Sequence, residues 1–154
     1  MFRVAQQAVG LAAARLALGG SGFGAALAAG AERNPAAVGL AFGAGASAVA
    51  LVSDRRFLLF EQPTVEPLPA AAEPVGPGRA IRDGLLPSTA GVALLLAISL
   101  GFKPILSAVL AGVLLGMGLV TVMSVTELTL RERREARRYY ADFSERSRRY
   151  VGPR

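Results

Sequence analysis

Four apolar stretches of membrane-spanning length follow one another along the chain, and nearly all of its charge lies between or after them. They run roughly over Val4–Ala31, Pro35–Ser53, Gly84–Phe102 and Pro104–Thr126. Each is close to the ~20 residues that an α-helix needs to cross ~30 Å of hydrocarbon. Backbone N–H and C=O groups in lipid must be paired within the segment, so helix is the expected form. The period-two alternation of a transmembrane barrel is missing. This pattern fits a polytopic membrane protein better than a globular enzyme. Hydrophobic residues make up 53% of the 154 and charged residues 18%, where a soluble domain carries about 25% charge. Neither Cys nor His occurs. Disulfides, Cys/His zinc sites, haem ligation through His, Cys nucleophiles and Ser-His-Asp triads are thereby excluded, and no cofactor or metal is expected.

The blocks pair into two helical hairpins. The first occupies residues 1–54, with a tight turn at Ala31–Asn34 before Pro35. The second occupies 84–126, turning at Lys103-Pro104. Proline suits a first helical position, where its missing N–H would have had no partner. Residues 55–83 contain Pro63, Pro67, Pro69, Pro74 and Pro77 and read as an extended, partly polyproline, hydrated linker. Residues 127–154 form a basic tail with nine arginines against five acids. If the N-terminus is cytoplasmic, that side carries 15 of the 17 basic residues, leaving only Arg33 and Lys103 opposite. This is the charge bias of cytoplasmic loops. The expected architecture is therefore all-α: four transmembrane helices in a bacterial inner membrane, both termini cytoplasmic, with a helical tail. A competing reading takes the start as a signal peptide cleaved near Ala29-Gly30-Ala31; Arg15 inside its apolar core argues against it.

The second and fourth blocks share the pattern G-x3-G-x-G-x8-[DE]. Gly39, Gly43, Gly45 and Asp54 recur as Gly112, Gly116, Gly118 and Glu127, each 73 residues on. A duplicated hairpin would give parallel repeats related by an axis along the membrane normal, while abundant glycine makes coincidence the competing explanation. Glycines four apart allow close helix approach. Gly20 and Gly24 offer such a face in the first block, so these eight glycines are the expected packing positions. The first hairpin is built of Ala and Gly and gains little from lipid. It therefore needs support from neighbours: the Leu- and Val-rich second hairpin, another copy or a different subunit, and the cost favours an oligomer or complex over a lone monomer.

Arg15 is the one ionisable residue well inside a span, and such residues are candidate functional positions. It could meet Asp54 and Glu127 at the cytoplasmic ends of blocks two and four, as an ion pair or gate; snorkelling to the headgroups is the plainer alternative. In the tail, Glu127–Arg131, Asp142–Arg146 and Glu145–Arg149 are acid-before-base pairs at i+4, which favour helix. On that helix Arg131, Arg134, Arg138, Tyr140, Phe143 and Arg149 would meet an anionic membrane surface or a partner protein; nucleic acid fits less well. The expected function is a non-enzymatic accessory, structural or assembly subunit of a membrane complex. The alternative is a small oligomeric channel or transporter made of glycine-rich hairpins.

Overall fold

The computed structural model describes residues 2–30, 35–57, 65–67, 69, 76–85, 89–141 and 149–153. The chain is mostly helical. Its elements, in order, are β1 (Phe2–Arg3), α1 (Val4–Gly30), α2 (Pro35–Phe57), β2 (Val65–Pro67), α3 (Pro77–Leu85), α4 (Thr89–Leu100), α5 (Pro104–Glu135), β3 (Arg137–Ala141) and β4 (Arg149–Pro153). Helices α2, α3 and α5 each begin on proline, where the fixed φ is already helical. Among the described residues two helices, α1 and α5, are long and apolar enough to cross a membrane. Two shorter apolar stretches, Ala36–Leu51 within α2 and Thr89–Leu100, accompany them. The 12 residues of α4 reach only about 18 Å at 1.5 Å per residue.

Helix α5 is the axis of the bundle, and α1, α2 and α4 pack around it. Glycine makes these approaches close. A Cβ on Gly112 would overlap the carbonyl oxygen of Phe42, and one on Gly45 that of Val109. A Cβ on Gly116 would lie 2.8 Å from the Ala46 oxygen. Residues 42 and 46 thus lie beside 112 and 116, so α2 runs parallel to α5. Against α1, Gly19 faces Ala111 and Leu115, and Gly118 faces Leu16, an antiparallel register. Helix α5 returns along α4 after a tight turn in which Lys103 N donates to Ser99 O at 2.8 Å. The Ser99 and Ser107 hydroxyls meet there at 2.8 Å, both buried.

The interior is made of small side chains. Ala12, Ala26, Ala108 and Ala111 are buried, with Val38, Leu96 and Leu114. Phe23 stacks on Phe42, ring centroids 4.1 Å apart. Many other large apolar side chains point outward: Phe102 is 81% exposed, Leu40 77%, Leu51 74% and Met123 68%. In water this would be a large apolar surface of the kind that marks an interaction with membrane or protein.

The regions outside the bundle differ from the expectation. The tail does not continue as a helix to Tyr150. Helix α5 stops at Glu135, where Ala136 adopts a left-handed conformation (φ 52°) and its N–H bonds to Glu132 O. The chain then forms an antiparallel hairpin, pairing Tyr139 with Val151 and Tyr140 with Tyr150. The linker is not uniformly extended either: Val65–Pro67 pairs in parallel with Arg149–Val151, and Pro77–Leu85 is helical. With Phe2 and Arg3 opposite Ala141 and Tyr140, a four-stranded sheet results, in the order β1-β3-β4-β2. Cross-strand pairing of aromatic and β-branched residues supplies what local helix propensity cannot.

Candidate functional site

Arg15 lies at the junction of three helices. Its Nε donates to Thr89 Oγ1 on α4 at 2.9 Å, and its Nη1 donates to Thr121 Oγ1 on α5, also at 2.9 Å. Thr89 is 1% exposed. Thr121 turns its own proton back to Met117 O at 2.6 Å, leaving its oxygen lone pairs to accept from Arg15. The planar guanidinium presents donors fixed in direction to both hydroxyls at once. Glu127 stands exposed on α5 and makes no ion pair among the described residues. The expected Arg15–Glu127 contact is therefore not formed. The side chain of Asp54 lies outside the described residues. Sequence reading picked out Arg15 but missed both threonines; a hydroxyl on an apolar helix is too common to single out without its partner.

A second polar node stands where the helices meet the sheet. Glu132, on the last turns of α5, is buried at 4% exposure. Its Oε2 accepts from Arg3 Nη2 at 2.8 Å, and its Oε1 accepts from the Tyr139 backbone N–H at 3.0 Å. Geometry explains the second bond. Strand β1 reaches only as far as Arg3, opposite Tyr140, because Val4 begins α1. The Tyr139 N–H would otherwise face an edge with no strand beside it, and the carboxylate takes the place of the missing carbonyl. One turn further on, Tyr139 Oη donates to Glu135 Oε2 at 2.6 Å. Burial raises the Tyr139 phenol above its ordinary pKa, and the bond to Glu135 and its negative charge raise it further.

The glycines divide into two groups. Gly45, Gly112, Gly116 and Gly118 lie at helix contacts. Gly20, Gly24, Gly39 and Gly43 do not: nothing described lies within 4 Å of where their Cβ atoms would be. On α1 the contacts fall instead to Gly19 and Gly22, the latter against Leu96 and Ala111, and to Gly10 against Ile81 of α3.

The tail residues are redistributed by the hairpin. Arg131 pairs loosely with Glu135 at 3.6 Å rather than with Glu127. Arg134 is exposed, while Arg138 and Tyr140 are half-buried on β3. Phe143 lies outside the described residues, as do Asp142, Glu145 and Arg146; Arg149 is in β4, its side chain outside the description. One helical face carrying Arg131 to Arg149 therefore does not exist. Compared with family models, with curated proteins and with solved structures, the chain matches none.

Proposed function

We propose that the chain is a polytopic, non-enzymatic protein of the bacterial inner membrane, an accessory or assembly subunit of a larger membrane complex. The observation that carries this is a bundle interior rich in small residues beside outward-facing Leu40, Leu51, Phe102 and Met123. Lipid tails are as apolar as leucine, so packing in a bilayer relies on close approach of small residues. The two apolar helices α1 and α5 agree with a membrane location. The unfilled glycines Gly20, Gly24, Gly39 and Gly43 leave the outer face of the first hairpin shallow, which suits the approach of helices from another subunit. The polar groups inside the bundle, Arg15 with Thr89 and Thr121 and the Ser99–Ser107 pair, are engaged in tying helices together.

The finer reading is four crossings with both termini cytoplasmic, the two hairpins being parallel copies. Both hairpins run in the same sense, and α2 lies parallel to its counterpart α5, as a parallel duplication requires. The short α4 is compatible with a crossing because Arg15 draws headgroups and water inward at its N-terminal end, thinning the bilayer there.

The test is isolation of the chain from its native membrane in mild detergent, with mass and composition of the assembly read by mass spectrometry. A defined set of other subunits is the expected result. A homo-oligomer alone overturns the accessory role and leaves the channel alternative, to be examined by liposome flux in wild type and Arg15→Ala.

A further inference from the structure

Helix α3 was not foreseen in the sequence, and among the described helices it is the strongly amphipathic one. It packs against α1 and β1. Ile81 seats directly on Gly10 of α1, where a Cβ would collide with it. Its other side carries Arg79 and Arg82, whose side chains are 73% and 72% exposed. Asp83 lies near both but loosely, at 3.9 Å from Arg79 and 3.6 Å from Arg82, and so leaves both guanidinium groups open to further anions.

The height of α3 along the bundle gives the exposed arginines their meaning. Two ties fix the N-terminal segment against α5: Arg15 of α1 to Thr121, and Arg3 of β1 to Glu132. Gly10, and Ile81 upon it, lie between these ties. On α5 the same interval holds the change from lipid-like to water-like surface. Val122 and Met123 are exposed apolar residues, Glu127 is an exposed acid, and Arg131 is 61% exposed. An amphipathic helix at that boundary, apolar side to the bundle and cationic side out, is in the position of an interfacial helix.

We propose that α3 is a headgroup-binding element, Arg79 and Arg82 holding phosphates of anionic phospholipids on the sheet side of the membrane. The inference rests on the membrane reading above. It departs from the sequence expectation by moving the lipid contact from the tail to the linker. Each arginine near an anionic surface changes affinity by about fivefold, and the effect fades within a screening length of about 8 Å at physiological salt.

The experiment reconstitutes the full chain in phosphatidylcholine vesicles containing one quarter phosphatidylglycerol. Lipid preference at the protein surface is read with spin-labelled phosphatidylglycerol against spin-labelled phosphatidylcholine. Wild type is expected to prefer the anionic probe. Arg79→Gln/Arg82→Gln lowers that preference by about fivefold or more, Arg79→Lys/Arg82→Lys retains it, and Arg133→Gln/Arg134→Gln, the same charge removed beyond the interface, leaves it within twofold. Preference unchanged in the α3 glutamine pair, or lost equally in the α5 pair, overturns the proposal while the membrane reading stands. Extraction of the wild-type chain from these vesicles by alkaline carbonate overturns both.

Discussion

The same substitution, glycine to alanine, is expected to have opposite effects at two positions that the sequence motif treats alike. At Gly112 the added methyl would overlap the Phe42 carbonyl oxygen and approach Ala46 N at 3.1 Å. Both are backbone atoms in the middle of α2, so no rotamer change relieves the clash; the helix itself must move. A normal carbon–oxygen contact requires α2 to back away by about 1 Å, and a gap of that size forfeits a quarter to a half of the dispersion energy of the atoms it separates. The stacked Phe23 and Phe42 rings and the Gly45–Val109 contact lie on the same seam. Overpacking of a methyl group in a tight site costs about 1–3 kcal/mol, and backbone against backbone belongs at the upper end. At Gly43, by contrast, nothing lies within 4 Å of the Cβ position. Alanine there removes the backbone entropy of glycine, a gain of up to about 1 kcal/mol in a helix. Reversible unfolding in mixed micelles, followed by circular dichroism as the denaturing detergent fraction rises, reads both. Gly112→Ala should unfold at a lower fraction than wild type and Gly43→Ala at an equal or higher one. Equal loss in both variants would refute the α2–α5 register described above, because it would place both glycines in contacts.

Three further substitutions address the sheet. Glu132→Ala leaves the Arg3 guanidinium and the Tyr139 N–H without their partner and should cost about 3–5 kcal/mol; thermal unfolding of the sheet, followed through protection of the Tyr139 amide in hydrogen exchange, checks it. Tyr139 has its folded pKa raised, so its contribution is complete below the unfolded value near 10 and is lost as pH rises through the folded value. Ultraviolet titration should show a tyrosinate component above the usual range that vanishes in Tyr139→Phe, and the loss of stability above pH 10 should vanish with it. Ala136→Gly relieves the left-handed φ that alanine bears at the end of α5 and should stabilise by about 1 kcal/mol, seen as a higher melting temperature.

How much of this could be read from the sequence depends on which solvent a segment meets. The long apolar helices are legible because mean hydropathy and length alone define them, and the starts at Pro35 and Pro104 because proline marks a first turn. The rotation of α1 is not legible. Apart from Gln6, Gln7, Arg15 and Ser21 its residues are apolar, too few polar positions to mark an outer face, and Gly20 and Gly24 look as good as Gly19 and Gly22. Only the fit against Leu115, Ala111 and Leu96 decides between them. The tail failed for a different reason. Its i+4 acid–base pairs and its aromatic spacing satisfy local helix rules, each worth a few tenths of a kcal/mol. What overrides them is non-local: Tyr140 opposite Tyr150, β1 from the other end of the chain, and a buried carboxylate completing the edge of β3.

That sheet bears directly on the proposed topology. Its four strands come from before α1, from between α2 and α3, and from after α5. Pairing within one sheet requires the three regions to share a side of the membrane. In the proposed topology the first hairpin crosses and returns, and so does the second, which meets that requirement. Charge counting reaches the same arrangement by an unrelated route, since Arg3, Arg79, Arg82 and the tail arginines are the residues that a cytoplasmic side retains. The chain has no cysteine, so single cysteines can be placed without background. Cysteines at Pro67 and Arg137, both exposed on the sheet, should react with a membrane-impermeant maleimide only in inverted vesicles. One at Phe102, in the exposed turn before α5, should react only in right-side-out vesicles. Labelling of the Pro67 and Arg137 positions from opposite sides would break the sheet and the four-crossing reading together, because β2 and β3 both pair with β4.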